Sequence, residues 1–128
     1  MDTSAVLALL NPRDRAHSRA ASAFARLRER RSRLVTSSFV LVETYALLNH
    51  RLGLDAVRAF RDDFAPLLEV VWVAEDLHNR GLDLLLERRR RKLSLVDAVS
   101  FIVLNESRIE EAFAYDRQFE AEGFALVS

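Results

Sequence analysis

The chain contains no cysteine, three glycines, two prolines and a single lysine among its 128 residues. The missing cysteines exclude a disulfide framework, a cysteine-based zinc site and a thiol nucleophile. They also suit a reducing compartment. So few glycines and prolines leave little turn chemistry, and the chain is expected to be mostly regular and helical. No apolar run approaches the length of a membrane-spanning helix. The apolar start MDTSAVLALL carries an acid at position 2 and no basic leader. A soluble cytoplasmic protein without a membrane partner is the expectation. An excess of charge is missing too, because 19 basic residues meet 19 acidic ones. That balance argues against a simple polycation that coats nucleic acid or anionic membrane.

What is present is half hydrophobic, which argues against intrinsic disorder. At this length one domain over residues 1–128 is expected. Folding of such a chain buries about two-thirds of its unfolded surface. The zero net charge is unevenly laid out. Residues 11–33 hold eight arginines against Asp14 and Glu29, residues 88–92 read RRRRK, and residues 106–128 hold six acids against Arg108 and Arg117. Five adjacent cations repel one another, and an anionic partner or a facing acidic surface would offset that cost.

The pattern along the chain alternates helices with short apolar strands. The apolar segment Ser4–Leu10 is followed by the turn signal Asn11-Pro12. Helices are expected over 13–31, from Ser37 or Ser38 to about Arg51 where Gly53 closes it, and over 55–67, 75–90, 95–105 and 116–122. Strands are expected at 33–36, 68–73, 112–115 and 124–127. Such alternation indicates an α/β fold, a short parallel sheet with helices on both faces. In such sheets the working residues gather at the carboxyl ends of the strands.

Four carboxylates stand out from the surface pattern. Glu43 has apolar neighbours one turn away on either side, Phe39, Val40, Ala46 and Leu47, so it is expected on a buried helix face. A carboxylate there must be paired, protonated or metal-bound, and Arg51 is the partner that a plain ion pair would use. Asp97 lies in LSLVDAVSFIVL, otherwise uncharged, where a helix dipole alone would also favour it. Asp116 follows AFAY at a strand end, and Asp2 precedes Thr3-Ser4; a helix cap is the simpler account of each. Taken together, four acids at a chain start, a helix face, a helix start and a strand end would repel one another unless cations sat among them. Oxygen-only ligation selects hard ions such as Mg²⁺ or Mn²⁺. The chemistry that such a site performs is phosphodiester hydrolysis, with the arginine-rich segments free to hold a polyanion.

The order DTSA, then ET in the third helix, LSLVDA, and AFAYDRQFEAEGF resembles the PIN domain, and most nearly the VapC-type toxin ribonucleases of toxin–antitoxin pairs. The match spans nearly the whole chain; each piece alone is weak, and the four in order are specific. Residues 14–20, DRAHSRA, add a smaller agreement with the family's D-x-x-H-x-x-A, in which His17 reads as structural. The resemblance implies a three-layer α/β/α sandwich and a Mg²⁺- or Mn²⁺-dependent endoribonuclease. Asp2, Glu43, Asp97 and Asp116 match the family's four acids in order. Asp2 and Asp97 would ligate metal directly, Glu43 and Asp116 would complete the shell or orient water, and Ser4 would hydrogen-bond the cluster. It further implies an RNA substrate, a homodimer, and a small antitoxin that docks near the acids, for which helices three and four, with Phe60 and Phe64, would offer a groove.

The resemblance departs at one point. The family carries a hydrophobic central strand before its first acid, and here only Met1 precedes Asp2. Either the start lies upstream or the sheet has a gap, with Asp2 beside a competing α-amino group. Two other readings compete. One is a PIN-like module that binds RNA or protein without catalysis. The other is an aspartyl phosphatase suggested by DTS, weakened because position 4 is Ser and the only lysine is Lys92 in a charge run. The three histidines show no metal-binding spacing, and Trp72 in VVWV reads as core.

Overall fold

The computed structural model describes residues 1–127. The apolar start becomes a helix, α1 (Thr3–Leu10). The next helix, α2 (His17–Glu29), begins later than its apolar spacing predicts. Asn11 and Asp14 explain the delay, since their side chains accept from the amides of Arg13 and Ala16 and hold the intervening residues in turns. Then follow β1 (Val35–Ser37), α3 (Ser38–Leu52) and α4 (Leu54–Ala59). Gly53 ends α3 at φ 90°, a conformation that favours glycine. The expected helix over 55–67 is regular only as far as Ala59. It widens into a π-helical turn, Phe60–Phe64, and tightens into a 3₁₀ turn, Ala65–Leu67, at Pro66. The remainder is β2 (Glu69–Val71), α5 (Glu75–Arg88), α6 (Leu95–Glu106), β3 (Glu111–Ala112), α7 (Gln118–Ala121) and β4 (Ala125–Leu126).

The strands are short and parallel, as an α/β fold requires. They form two separate pairs: β1 lies beside β2, with Thr36 opposite Val70, and β3 lies beside β4, with Ala112 opposite Leu126. Helices cover both faces. Val70 packs with α1, α2 and α3 around Val6, Leu41, Leu48 and Phe60. Its neighbour Val71 points the other way, toward Val35, Val99 and Val103. A third cluster, Phe101, Leu104, Phe119 and Phe124, seats α6 against α7 and the second strand pair. Full burial of a side chain such as Phe60 or Phe101 stabilises by roughly 1.5–3 kcal/mol.

Met1 and Asp2 bridge the two strand pairs. The Met1 ammonium donates to the Val35 carbonyl at 2.7 Å, the Thr36 hydroxyl to the Met1 carbonyl at 2.9 Å, and the Asp2 amide to the Phe113 carbonyl at 2.9 Å. This is why β3 is shorter than the expected 112–115: the backbone after Ala112 bonds to the chain start instead of to β4. Beyond Met1 the strand pairs part around a trough of about 330 Å³, lined by Leu34 and Val35 on one side, Glu110, Glu111 and Phe113 on the other, and Leu104. The ammonium faces Val35, so it hydrogen-bonds away from the Asp2 carboxylate, and burial lowers its pKa to about 6.

Two sequence expectations fail. Trp72, the residue after β2, is 74% exposed, and β2 has β1 as its only strand partner among the described residues. Phe60 and Phe64 offer no open groove. Phe60 is fully buried, stacked on Phe64 at 5.5 Å and edge-on to Tyr45, while Phe64 stacks on Phe24 at 4.9 Å. The RRRRK block finds its offset in the acidic C-terminal segment, where Glu122 binds both Arg88 and Arg90.

The trough lies between the edges of the two strand pairs, beside Leu34–Val35 and Glu110–Glu111. Appending a short β-branched segment ahead of Met1, long enough to run its length, is expected to raise the melting temperature. Equal melting temperatures with and without the segment would contradict that reading.

Candidate active site

The carboxylates reach one place through helix starts. Asp2 is the N-cap of α1 and accepts from the Ser4 amide at 3.4 Å and the Ser4 hydroxyl at 2.9 Å. The same hydroxyl accepts from the Tyr115 amide at 2.9 Å. Ser4 thus binds the Asp2 carboxylate to the loop that carries Asp116, as expected of it. Asp97 sits in the first turn of α6 in a capping box: its amide donates to the Ser94 hydroxyl at 3.0 Å, and its carboxylate accepts from the Ser94 amide at 3.2 Å. Asp116 accepts from the Gln118 amide at 3.0 Å. The capping roles weighed for Asp2 and Asp97 are real, whereas Asp116 anchors a turn one residue before the cap of α7; these bonds fix each carboxylate at the rim of a common cavity.

That cavity, about 460 Å³, is lined by Asp2, Asp14, Glu43, Asp97 and Asp116, with Ser4, Ser94 and Tyr115. Glu43 differs from its expectation. The buried face of α3 is Val40, Leu41, Thr44 and Leu48, so Glu43 is half-buried at its edge and opens toward the cavity, and Ala46 is exposed. Its neighbour Thr44 is fully buried and hydrogen-bonded to Thr3 at 3.2 Å, which docks this part of α3 beside the start of α1. No ion pair joins Glu43 to Arg51 among the described residues, although both line the cavity.

The carboxylates feel one another. Burial, then the nearby charges of Asp2 and Asp116, push the Asp97 carboxyl up to about 6 against the hydrogen bonds from Ser94. Burial also raises Asp2, opposed by its bonds to Ser4 and by the Met1 ammonium. Both residues are 7% exposed. As placed, no three acidic or histidine side chains converge to ligating distance among the described residues. One oxygen each of Asp2, Asp97 and Asp116 is instead held by a nearby backbone amide or hydroxyl, while the second oxygen of each makes no hydrogen bond among the described residues. The donor set is nonetheless one that fits a hard divalent cation: oxygen only, partly desolvated and mutually repelling.

The PIN-domain family model matches residues 1–124. The chain is 36% identical over 128 residues to the 23S rRNA-specific endonuclease VapC20 of Mycobacterium tuberculosis, in two strains, covering 99% of this chain and 95% of that protein. The chain belongs to the PIN-domain family. The crystal structure of Mycobacterium tuberculosis VapC20, described as a sarcin-ricin loop cleaving toxin, superposes with a TM-score of 0.83 at 36% identity, over 97% of this chain and 94% of that one. The fold is thus the PIN fold, helical with short parallel strands, and the chain is a homologue of a toxin endoribonuclease.

Three residues of the cavity escaped sequence reasoning as functional candidates. Asp14 was visible within DRAHSRA, but only as part of a motif. Arg51 lies two turns beyond Glu43 with Leu47 between them, a spacing that puts all three along one helix face and into the cavity. Lys92 was set aside as one of five cations, yet of RRRRK only Lys92 lines the cavity. His17 is structural, bonding the Ala8 carbonyl at 2.8 Å and tying α2 to α1.

The folded Asp97 holds its proton to about pH 6, whereas the unfolded carboxyl releases it near 3.8. The folded state therefore binds more protons between those values, and stability from this group falls as pH rises across them. Asp97→Asn is expected to flatten the change in melting temperature between about pH 4 and 6. An unchanged pH dependence in thermal melts of the variant would contradict the environment assigned to Asp97.

Proposed function

We propose that this protein is a divalent-metal-dependent endoribonuclease, the toxin of a toxin–antitoxin pair, which cuts RNA at the cavity bounded by Asp2, Glu43, Asp97 and Asp116. The observation that carries the reading is the gathering of Asp2, Asp97 and Asp116 at one rim, where the charges of Asp2 and Asp116 add to burial in raising the proton affinity of Asp97. Homology to an rRNA-specific endonuclease supports RNA as the substrate. Asp2 and Asp97 would hold a Mg²⁺ or Mn²⁺ ion, with Glu43 and Asp116 completing the shell or orienting water. Such an ion supplies charge neutralisation and Lewis acidity for hydrolysis by water.

The chain's own groups do the rest. Ser4 holds the Asp2 carboxylate and the Tyr115 backbone in one bond chain. Ser94 fixes the rotamer of Asp97. Thr3 and Thr44 lock α1 to α3, which sets Glu43 opposite Asp2 across the cavity. The antitoxin and the homodimer belong to the same reading. Exposed Val42, Leu52, Leu54 and Trp72 supply apolar surface for such partners, in place of the buried Phe60.

A PIN-like module that binds without cleaving is the second reading, favoured by the way one oxygen of each aspartate is already held by a local amide and no three acids converge to ligating distance among the described residues. Asp97→Asn separates the two. It is expected to lower the rate of RNA cleavage with Mn²⁺ by at least about a hundredfold, the scale on which a positioned acid–base or charge-stabilising group contributes. Cleavage at the wild-type rate would place the chemistry elsewhere.

A further inference from the structure

Building on the nuclease reading, we infer that Arg51 and Lys92 are the phosphate-gripping residues of the site, the two side chains that hold the RNA backbone over the acidic cavity. Of the side chains lining that cavity, five are carboxylates and two are cations, Arg51 and Lys92. Arg88 and Arg90 pair with Glu122, Arg33 with Glu69, and Arg80 with Asp76 and Glu106, whereas the arginines of residues 13–31 take no ion pair among the described residues; what sets Arg51 and Lys92 apart is that they line the acidic cavity. Arg51 and Lys92 take part in no ion pair and no side-chain hydrogen bond among the described residues, and both are exposed. Their charges stay available at the mouth of the one cavity in which the acids gather.

Their positions make them complementary. Lys92 stands two residues before Ser94, the cap that holds Asp97, so its charge lies on the Asp97 side. Arg51 stands in the last turn of α3, at the far end of the face shared by Glu43 and Leu47. Eight residues of helix separate it from Glu43 by about 12 Å. The two cations therefore flank the acids from different elements, as a strand crossing the cavity requires. Their chemistry differs as well. Lysine is a compact point charge with rotatable donors, and arginine a planar fork that can bind a phosphate through two N–H groups. The single lysine of the chain occurs here, while every other cation in the block 88–92 is arginine.

The test uses the whole protein and a fluorescently labelled sarcin–ricin-loop RNA hairpin. Affinity is measured by anisotropy over a salt series with Ca²⁺, and cleavage separately with Mn²⁺. Each phosphate contact contributes about 0.7–0.9 to the slope of log affinity against log salt. Lys92→Gln and Arg51→Gln are each expected to reduce that slope by about this amount. Lys92→Arg is expected to keep it. Arg58→Gln, which removes an exposed cation paired with Asp55 on α4, is expected to leave it unchanged. Slopes equal to wild type in both glutamine variants, with unaltered melting temperatures, would overturn the assignment of Arg51 and Lys92. A wild type that binds the hairpin with that slope dependence but never cuts it would overturn the nuclease reading and leave the phosphate contacts standing. A wild type that neither binds nor cuts it would overturn both.

Discussion

Repulsion among half-buried carboxylates is the constraint around which the rest of this molecule is arranged. Asp2 and Asp97 are each 7% exposed, and Asp97 is raised to about 6 by burial and by the charges of Asp2 and Asp116. Left to themselves such groups would separate or protonate. Here they cannot separate, because each is the cap of a helix start or the anchor of a turn. Removing one would sacrifice a cap worth about 1 kcal/mol. The same hydrogen bonds that explain each acid locally also hold the acids together. Local hydrogen bonding and the gathering of the acids around one cavity are therefore one geometry.

The chain brings the caps together with few long-range devices. Ser4 joins the first residues to Tyr115, and Thr3 joins them to Thr44. Among the described residues, Met1 and Asp2 serve as the rungs between two parallel strand pairs. Charge does the same work on the outside. The arginine block after α5 leans on Glu122, so the acidic C-terminal segment neutralises a basic one far away in sequence. Other cations stay unpaired among the described residues, and two of them, Arg51 and Lys92, line the acidic cavity.

Much of this was readable in the residues. Helix starts marked by Ser37 and Ser94, the stop at Gly53, and the β-branched run at Val70–Val73 all lie close to where the pattern puts them. The four acids were found because they interrupt apolar runs. What remained hidden depended on facts that have no local signature. Trp72 sits in an apolar run, yet it is exposed just after β2, which has one strand partner among the described residues. Phe60 looked available on an amphipathic helix, yet Phe24 and Tyr45 from other elements close over its cluster. The π-helical turn there shifts register in a way no spacing rule anticipates. Lys92 was masked by its four arginine neighbours; only the fold tells which member of a charge run faces inward.

On the proposed reading, a divalent cation resolves the repulsion among these acids. Calorimetric titration of the metal-free protein with Mn²⁺ at neutral pH tests that claim most directly, alongside Asp2→Asn and Asp97→Asn. Saturable uptake by the wild type, weakened in both variants, is the predicted result. A wild type that shows no saturable heat, or variants that take up Mn²⁺ as tightly as it does, would contradict the claim.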